Sequence, residues 1–509
     1  MKRSAEAASL HSDKASEADT CSSNAPPQHS VSIGSSSTSG VSSTSLHRTS
    51  STATDESIMS DHDQAIITRF INARLLLRDG SLNKGELIVD SSTGIILEVN
   101  LDSQPVQQTK NFQTRIVDCR GMILSPGFID IQLNGAYGID FSNGGCNDGN
   151  DESDGLRIDD VFKVANSLCQ TGVTSFCPTM VSSSRETYKR VIPLIRRARK
   201  EQKSGARILG MHLEGPFFDP SKRGAHDERH ILAPSNGIVT VKDVYGLKQD
   251  HEKNETETYS PKLEDIDIIT LAPELDGALD AIDSLTQNSI NSNNVVVSCG
   301  HTGATYEEGI QAVGKGATLL THLYNAMDPF HHRKPGLVGL LSSYPKLKNM
   351  GLKPPSFSII VDGIHVHESA VCMAYNCYPE GCVLVTDAMS AMGLGDGTHA
   401  LGDMAVNIKG DRATLAGTDT LAGSVVTLNT CLRRFQQFTG CSIGEALLCA
   451  TLHPANVLNR SEVQQRKDGF FEPPIGLIEA NAKANLVMLT DELEVVSTWV
   501  DGQIAYQVK

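Results

Sequence analysis

NNVVVSCGHTGATYEEGIQAVGKGATLLTHLYNAM, residues 293–327, contains two short apolar runs, and each is followed at once by a histidine. The first run is β-branched and stops at Gly300-His301; the second stops at Thr321-His322. YEEGIQAVGKG (306–316) lies between them and reads as a helix. Strand, helix, strand is the repeating unit of a parallel sheet. A polar, metal-capable side chain at the end of each strand is hard to attribute to core packing.

Further out, the same unit recurs. Candidate strands are GMILSPGFIDIQL (121–133), VTSFCPT (173–179), RILGMHLE (207–214), IDIITLAPE (266–274), NVVVSCG (294–300), ATLLTHL (317–323), FSIIVDG (357–363) and CVLVTD (382–387). Helix-like segments such as VFKVANSLCQTG (161–172) and YKRVIPLIRRARKEQ (188–202) separate most of them, and ALLCATLHPANVL (446–458) adds helix after the last. Eight strands with intervening helices, and no dinucleotide glycine fingerprint, predict an α/β fold, a (β/α)8 TIM-like barrel over 123–470. Short alternating runs flank it: IITRFINARLLL, GELIVD and IILEV in 66–122, and ANLVMLTDELEVVSTWVDGQIAYQ in 471–509. These predict a small β-sandwich built from both ends of the chain.

Residues 1–60 are a Ser/Thr-rich tail almost without large apolar side chains, a composition expected to stay disordered. NGGCNDGNDESDG (143–155) and LKQDHEKNETETYSPKLED (247–265) read as surface loops. The formal charge of −16 argues against nucleic acid as partner. No run of about 18 apolar residues suggests a membrane span. The basic start MKRSAEAASLHSD lacks an apolar stretch behind it, so no secretory signal is expected. Twelve cysteines without a CxxC pair, including Cys177, Cys299, Cys382 and Cys449 inside apolar runs, fit reduced buried thiols in a cytoplasmic protein.

A parallel barrel gathers the C-terminal ends of its strands on one face, where its chemistry is collected. Glu214, His301, His322 and Asp387 all sit at such ends. One carboxylate and two imidazoles suit Zn²⁺ or another borderline divalent ion and leave a position for water, whose pKa the ion lowers towards ~7. Asp387 is placed to take a proton from that water and return it to a leaving nitrogen. His226 in KRGAHDERH and His365 in VDGIHVH follow other strands and could orient a substrate. PFHHRKPG (329–336) carries His331, His332, Arg333 and Lys334, a basic patch suited to an anion.

PGFIDIQLNGAYGIDFS (126–142), MHLEGPFFDPSKRGAH (211–226), GHTGAT, THLYNAM, VDGIHV, VTDAM and LAGS (421–424) occur in this order. In that arrangement the chain, over roughly 66–509, resembles the N-acetylglucosamine-6-phosphate deacetylases of the amidohydrolase superfamily. The resemblance implies Glu214, His301 and His322 as metal ligands and Asp387 as general acid/base. It also implies His226 on the acetamide carbonyl, and His365 with Asn325 and Ala326 on the sugar phosphate. Arg333 would reach the phosphate from a neighbouring subunit, so a homodimer is implied. The reaction implied is hydrolysis of N-acetylglucosamine 6-phosphate to glucosamine 6-phosphate and acetate, in amino-sugar catabolism. Where many amidohydrolases carry HxH on the first barrel strand, this chain has Gln132-Leu-Asn134. Neutral amides there predict one metal per subunit rather than two. A cyclic-amide hydrolase is disfavoured because no lysine stands in the fourth strand. A ligand-less scaffold is disfavoured because all four site residues are present.

Overall fold

A computed structural model describes residues 66–101, 113–143, 155–247, 261–287, 295–401, 404–465 and 471–508. The predicted tail, most of both predicted surface loops and the chain's last residue lie outside these.

Eight parallel strands make the barrel: Phe128–Leu133, Val173–Met180, Met211–Glu214, Ile266–Leu271, Val296–Cys299, Leu319–Leu320, Ser356–Ile360 and Cys382–Val385. Each neighbour in this order is hydrogen-bonded to the next, and the Asp387 N–H bonds the Gln132 carbonyl (2.9 Å) to bring the eighth back to the first. The strands are buried on both faces, so they are largely apolar and lack the alternation of exposed polar residues that a half-solvated strand shows. Amphipathic helices cover the outside, among them Ile158–Leu168, Arg185–Glu201 and Leu428–Thr439. Tyr306–Gly314 begins on a capping box, in which Thr305 and Glu308 satisfy each other's backbone donors.

The interior of the barrel changes character along its axis. Cys177, Ile268, Val296 and Leu319 are apolar and buried. Two residues further on, the same inward face carries Thr179, Thr270, Ser298 and Thr321, as the two-residue period of a strand requires. Asp130, His212, Ser358 and Thr386 complete this level, so every strand or strand end supplies one polar side chain, each at most 1% exposed. Buried polar atoms need partners, and here they find one another. His212 Nε2 lies 2.7 Å from Thr270 Oγ1, Thr270 lies 2.8 Å from Thr321, and Thr321 lies 2.5 Å from Ser298. Thr386 donates to Asp130 at 2.6 Å, and the His322 N–H donates to Ser358 Oγ at 2.7 Å. This level is the floor beneath the strand ends.

Burial pushes the Asp130 carboxyl up to about 7, while bonds from Thr386 and Gln132 hold it back in part. An unfolded aspartate titrates near ~3.9. The folded state therefore keeps a proton that the unfolded chain releases, and stability is lost as pH rises from about 4 through about 7. Asp130→Asn should gain on the wild type between pH 5 and pH 8 in thermal melts; an equal gap at both would mean that Asp130 adds no such slope.

The second unit is one sheet of eight strands assembled from both ends of the described chain. Its order runs Gln503–Gln507, Val495–Val500, Leu486–Leu489, Ile123–Pro126, Ile66–Leu76, Leu82–Asp90 and Ile95–Leu101, with Gln113–Asp118 also on Ile66–Leu76. It encloses Phe70, Leu75, Leu87, Ile96, Leu124, Leu486 and Trp499. Phe70 and Trp499 meet edge to face with centroids 4.9 Å apart. The stretch GMILSPGFIDIQL is two strands, and Ile123–Pro126 belongs to this sheet rather than to the barrel. The chain passes between the sheets at Gly127, where a Cβ would stand 2.1 Å from the Thr174 side chain. A further three-stranded sheet, Gly397–Leu401, Met404–Lys409 and Arg412–Leu415, had not been expected from sequence.

Candidate active site

Glu214 ends the third barrel strand, and its Oε1 is where the site converges. His301 Nε2 stands 3.3 Å from it and His322 Nε2 3.1 Å, and the two ring nitrogens are 3.0 Å apart. All three residues are at most 4% exposed. Bonds of 2.0–2.1 Å to one tetrahedral ion would set such atoms about 3.3 Å apart. The triangle thus has the dimensions of a ligand set.

The tautomers agree with this for His301. Its Nδ1 lies 2.9 Å from the Lys222 carbonyl, which can only accept, so Nδ1 bears the proton and the Nε2 lone pair faces Glu214. Phe218 stacks on the same ring at 4.1 Å and 14°, fixing its plane. Burial by itself would raise the Glu214 carboxyl, yet the bonds from His301 and His322 hold it well below the carboxylate range. Burial lowers His301, whereas for His322 the Glu214 carboxylate outweighs burial and raises it. Two imidazolium rings cannot face each other at this separation, and a divalent cation resolves that conflict better than a proton.

His226, 6% exposed, makes an overlapping set: one ligand atom each from Glu214, His226 and His301 lie within 4.8 Å of one another. The triangle with His322 is tighter, and His226 is otherwise engaged. Its Nδ1 accepts the Ser182 N–H at 3.1 Å and lies 3.0 Å from Ser182 Oγ. Burial, and then His301, push its pKa down to about 3. A neutral ring with Nδ1 accepting carries its proton on Nε2 and is a donor, suited to a carbonyl oxygen rather than to an ion.

Asp387 follows the eighth strand with φ +47, and His301 (φ +51) and His322 (φ +29) share that left-handed strain. Asn134 Nδ2 donates to Asp387 Oδ1 at 2.7 Å, and Gln132 Nε2 bridges Glu214 (2.8 Å) and Asp387 (3.3 Å). The two amides thus spend N–H groups on carboxylates, and their oxygens have no hydrogen-bond partner among the described residues. Burial and then Glu214 push the Asp387 carboxyl up to about 7.

Glu214, His226, His301, His322, Asn134 and Asp387 line one cavity with Asn325, Ala326, His365, Ile360, Leu401 and Leu421. His365 is held by Asp362, whose Oδ2 is 2.6 Å from Nδ1. Arg333 is not among the lining residues; it is exposed beside His331, His332 and Lys334, on a turn closed by His331 and Lys334. Sequence reasoning missed Ser182, Phe218 and Asp362. Only Asp362 left a signal, three residues before His365 in a loop.

The model of the amidohydrolase family matches residues 123–505. N-acetylglucosamine-6-phosphate deacetylase of Danio rerio is 39% identical over 447 residues, covering 86% of this chain and 96% of that protein. The enzyme of the same name from Homo sapiens is 38% identical over 448 residues, covering 87% and 96%. Among solved structures, N-acetyl-D-glucosamine-6-phosphate deacetylase from Mycobacterium smegmatis, a mutant in complex with N-acetyl-D-glucosamine-6-phosphate, superposes with a TM-score of 0.67. It is 27% identical and covers 87% of this chain and all of that one.

Proposed function

Since this chain belongs to the amidohydrolase family, which is metal-dependent, we propose that it hydrolyses the N-acetyl group of N-acetylglucosamine 6-phosphate to glucosamine 6-phosphate and acetate. The observation that carries this reading is the Glu214–His301–His322 triangle with the Asp387 carboxyl beside it, tied to Glu214 through Gln132. Glu214, His301 and His322 would hold one divalent ion per subunit, and two imidazoles with one carboxylate favour Zn²⁺. Gln132 and Asn134 donate to carboxylates where a second ion would need ligands. A bound ion supplies an acidified water and polarises the acetamide carbonyl.

The chain's own groups do the rest. Asp387 takes the proton of the attacking water, held towards it by Asn134 and Gln132, and passes it to the departing amine. His226, neutral with its proton on Nε2, donates to the carbonyl oxygen as negative charge grows there. His365, Asn325 and Ala326 line the cavity where the sugar would sit. The phosphate would be gripped by Arg333 of a partner subunit in a homodimer, which accounts for a basic turn that is exposed and does not line its own cavity. The barrel, from Phe128 to about residue 470, would be the catalytic domain. A cytoplasmic location fits the ten described cysteines, all free. No described helix is long and apolar enough to cross a membrane.

The test is metal analysis of purified protein together with acetate release from N-acetylglucosamine 6-phosphate. About one zinc per chain and acetate formation that chelation abolishes and zinc restores are expected. Zinc-loaded, folded protein that releases no acetate would overturn the reading.

A further inference from the structure

His301 has a left-handed backbone (φ +51), a conformation that strains an L-residue and persists only where its surroundings hold it. Its ring is held by the Lys222 carbonyl and by Phe218. The backbone that follows it is held from elsewhere, by Glu274, just beyond the end of the fourth barrel strand. Glu274 Oε2 accepts the Thr302 hydroxyl at 2.5 Å, and Oε1 accepts the Gly303 N–H at 2.7 Å. The same Thr302 Oγ1 accepts the Ala304 N–H at 2.9 Å, so donor and acceptor of that hydroxyl are both committed. The Thr302 N–H goes to the Ala326 carbonyl at 3.0 Å, and Thr302 is fully buried. Ala326 is itself left-handed (φ +50) and lies four residues after His322.

One carboxylate therefore fixes the three residues after one imidazole of the triangle, and through Thr302 it ties them to the loop after the other. We propose that Glu274 is a positioning residue for the metal site: it sets where His301 Nε2 stands and couples that position to the Asn325–Ala326 loop of the substrate cavity. Glu274 touches neither ligand atoms nor cavity; it acts through Thr302 and Gly303. Partners that orient metal ligands in this way change metal affinity by about 10- to 100-fold when removed. The inference rests on the metal-dependent reading above.

The variants are Glu274→Gln, which keeps the shape but turns one acceptor into a donor facing the Thr302 hydroxyl, and Thr302→Val, which removes that hydroxyl. Zinc affinity of each metal-free protein would be measured by competition with a chromophoric chelator, below its melting temperature. The visible spectrum of the cobalt-loaded forms would be recorded beside it. A loss of about 10- to 100-fold in affinity and an altered cobalt spectrum are expected in both. With excess zinc, kcat should stay below wild type. If Glu274→Gln does not fold, Thr302→Val carries the same expectation. Folded variants with wild-type zinc affinity and cobalt spectrum would overturn the proposal while leaving the proposed function intact. A wild type that binds no zinc would instead overturn both.

Discussion

Asp387→Asn should slow acetate release by about 10²- to 10⁴-fold, the range contributed by a positioned proton-transfer group. The substitution keeps volume and leaves an oxygen that Asn134 Nδ2 can still meet, so the fold and the cavity should survive. What it removes is the ability to accept a proton from water and deliver it to nitrogen. Zinc content should stay near that of the wild type, because Asp387 lies outside the Glu214–His301–His322 triangle. KM should change far less than kcat. A variant with at least a third of the wild-type rate would assign the proton transfer elsewhere.

Glu214→Ala is the second large effect, and it reaches the metal itself. Its carboxylate is the atom that both imidazoles and Gln132 address, so its removal leaves two ring nitrogens facing each other at 3.0 Å without a counter-charge. Loss of the ion forfeits several kcal/mol of transition-state stabilisation, so activity should fall by roughly 10³-fold or more. A second readout separates this from misfolding. Zinc at 100 times its dissociation constant should stabilise the wild type by about 2.7 kcal/mol and leave the variant's melting temperature unmoved. If zinc stabilises the Glu214→Ala protein as much as the wild type, Glu214 is not a ligand.

The barrel was legible because each strand is buried on both faces and must be written as a short apolar run, and because such runs stop at Glu214, His301, His322 and Asp387. The boundary at Gly127 was not legible, since Ile123–Pro126 and Phe128–Leu133 are equally apolar and only the close approach of Thr174 separates them. The sheet of Gly397–Leu415 could have been read: Val406 and Ile408 alternate with exposed Asn407 and Lys409 before a Gly410-Asp411 turn. The polar floor could not, because a threonine or serine in a strand looks the same whether it faces water or a barrel axis. The tautomer of His226 depends on Ser182, 44 residues away in sequence, and no local pattern carries it. Arg333 is exposed and does not line the cavity of its own chain, so its reading as a residue that reaches a neighbouring subunit's phosphate stays a proposal about an assembly.

The strand Ile123–Pro126 hydrogen-bonds on one side to the Arg74–Leu75 stretch and on the other to Leu486–Leu489. On the ribosome that arrangement sets an order of events. Every barrel strand, from Phe128 to Val385, has been synthesised before Leu486 emerges. At about 5–20 residues per second, the barrel has seconds in which to close while the early strands wait, with Phe70 and Leu124 lacking Trp499 and Leu486 as cover. A message truncated shortly after the eighth barrel strand would thus yield a chain with Glu214, His301 and His322 in place and a permanently open apolar seam, a substrate for chaperones and proteases.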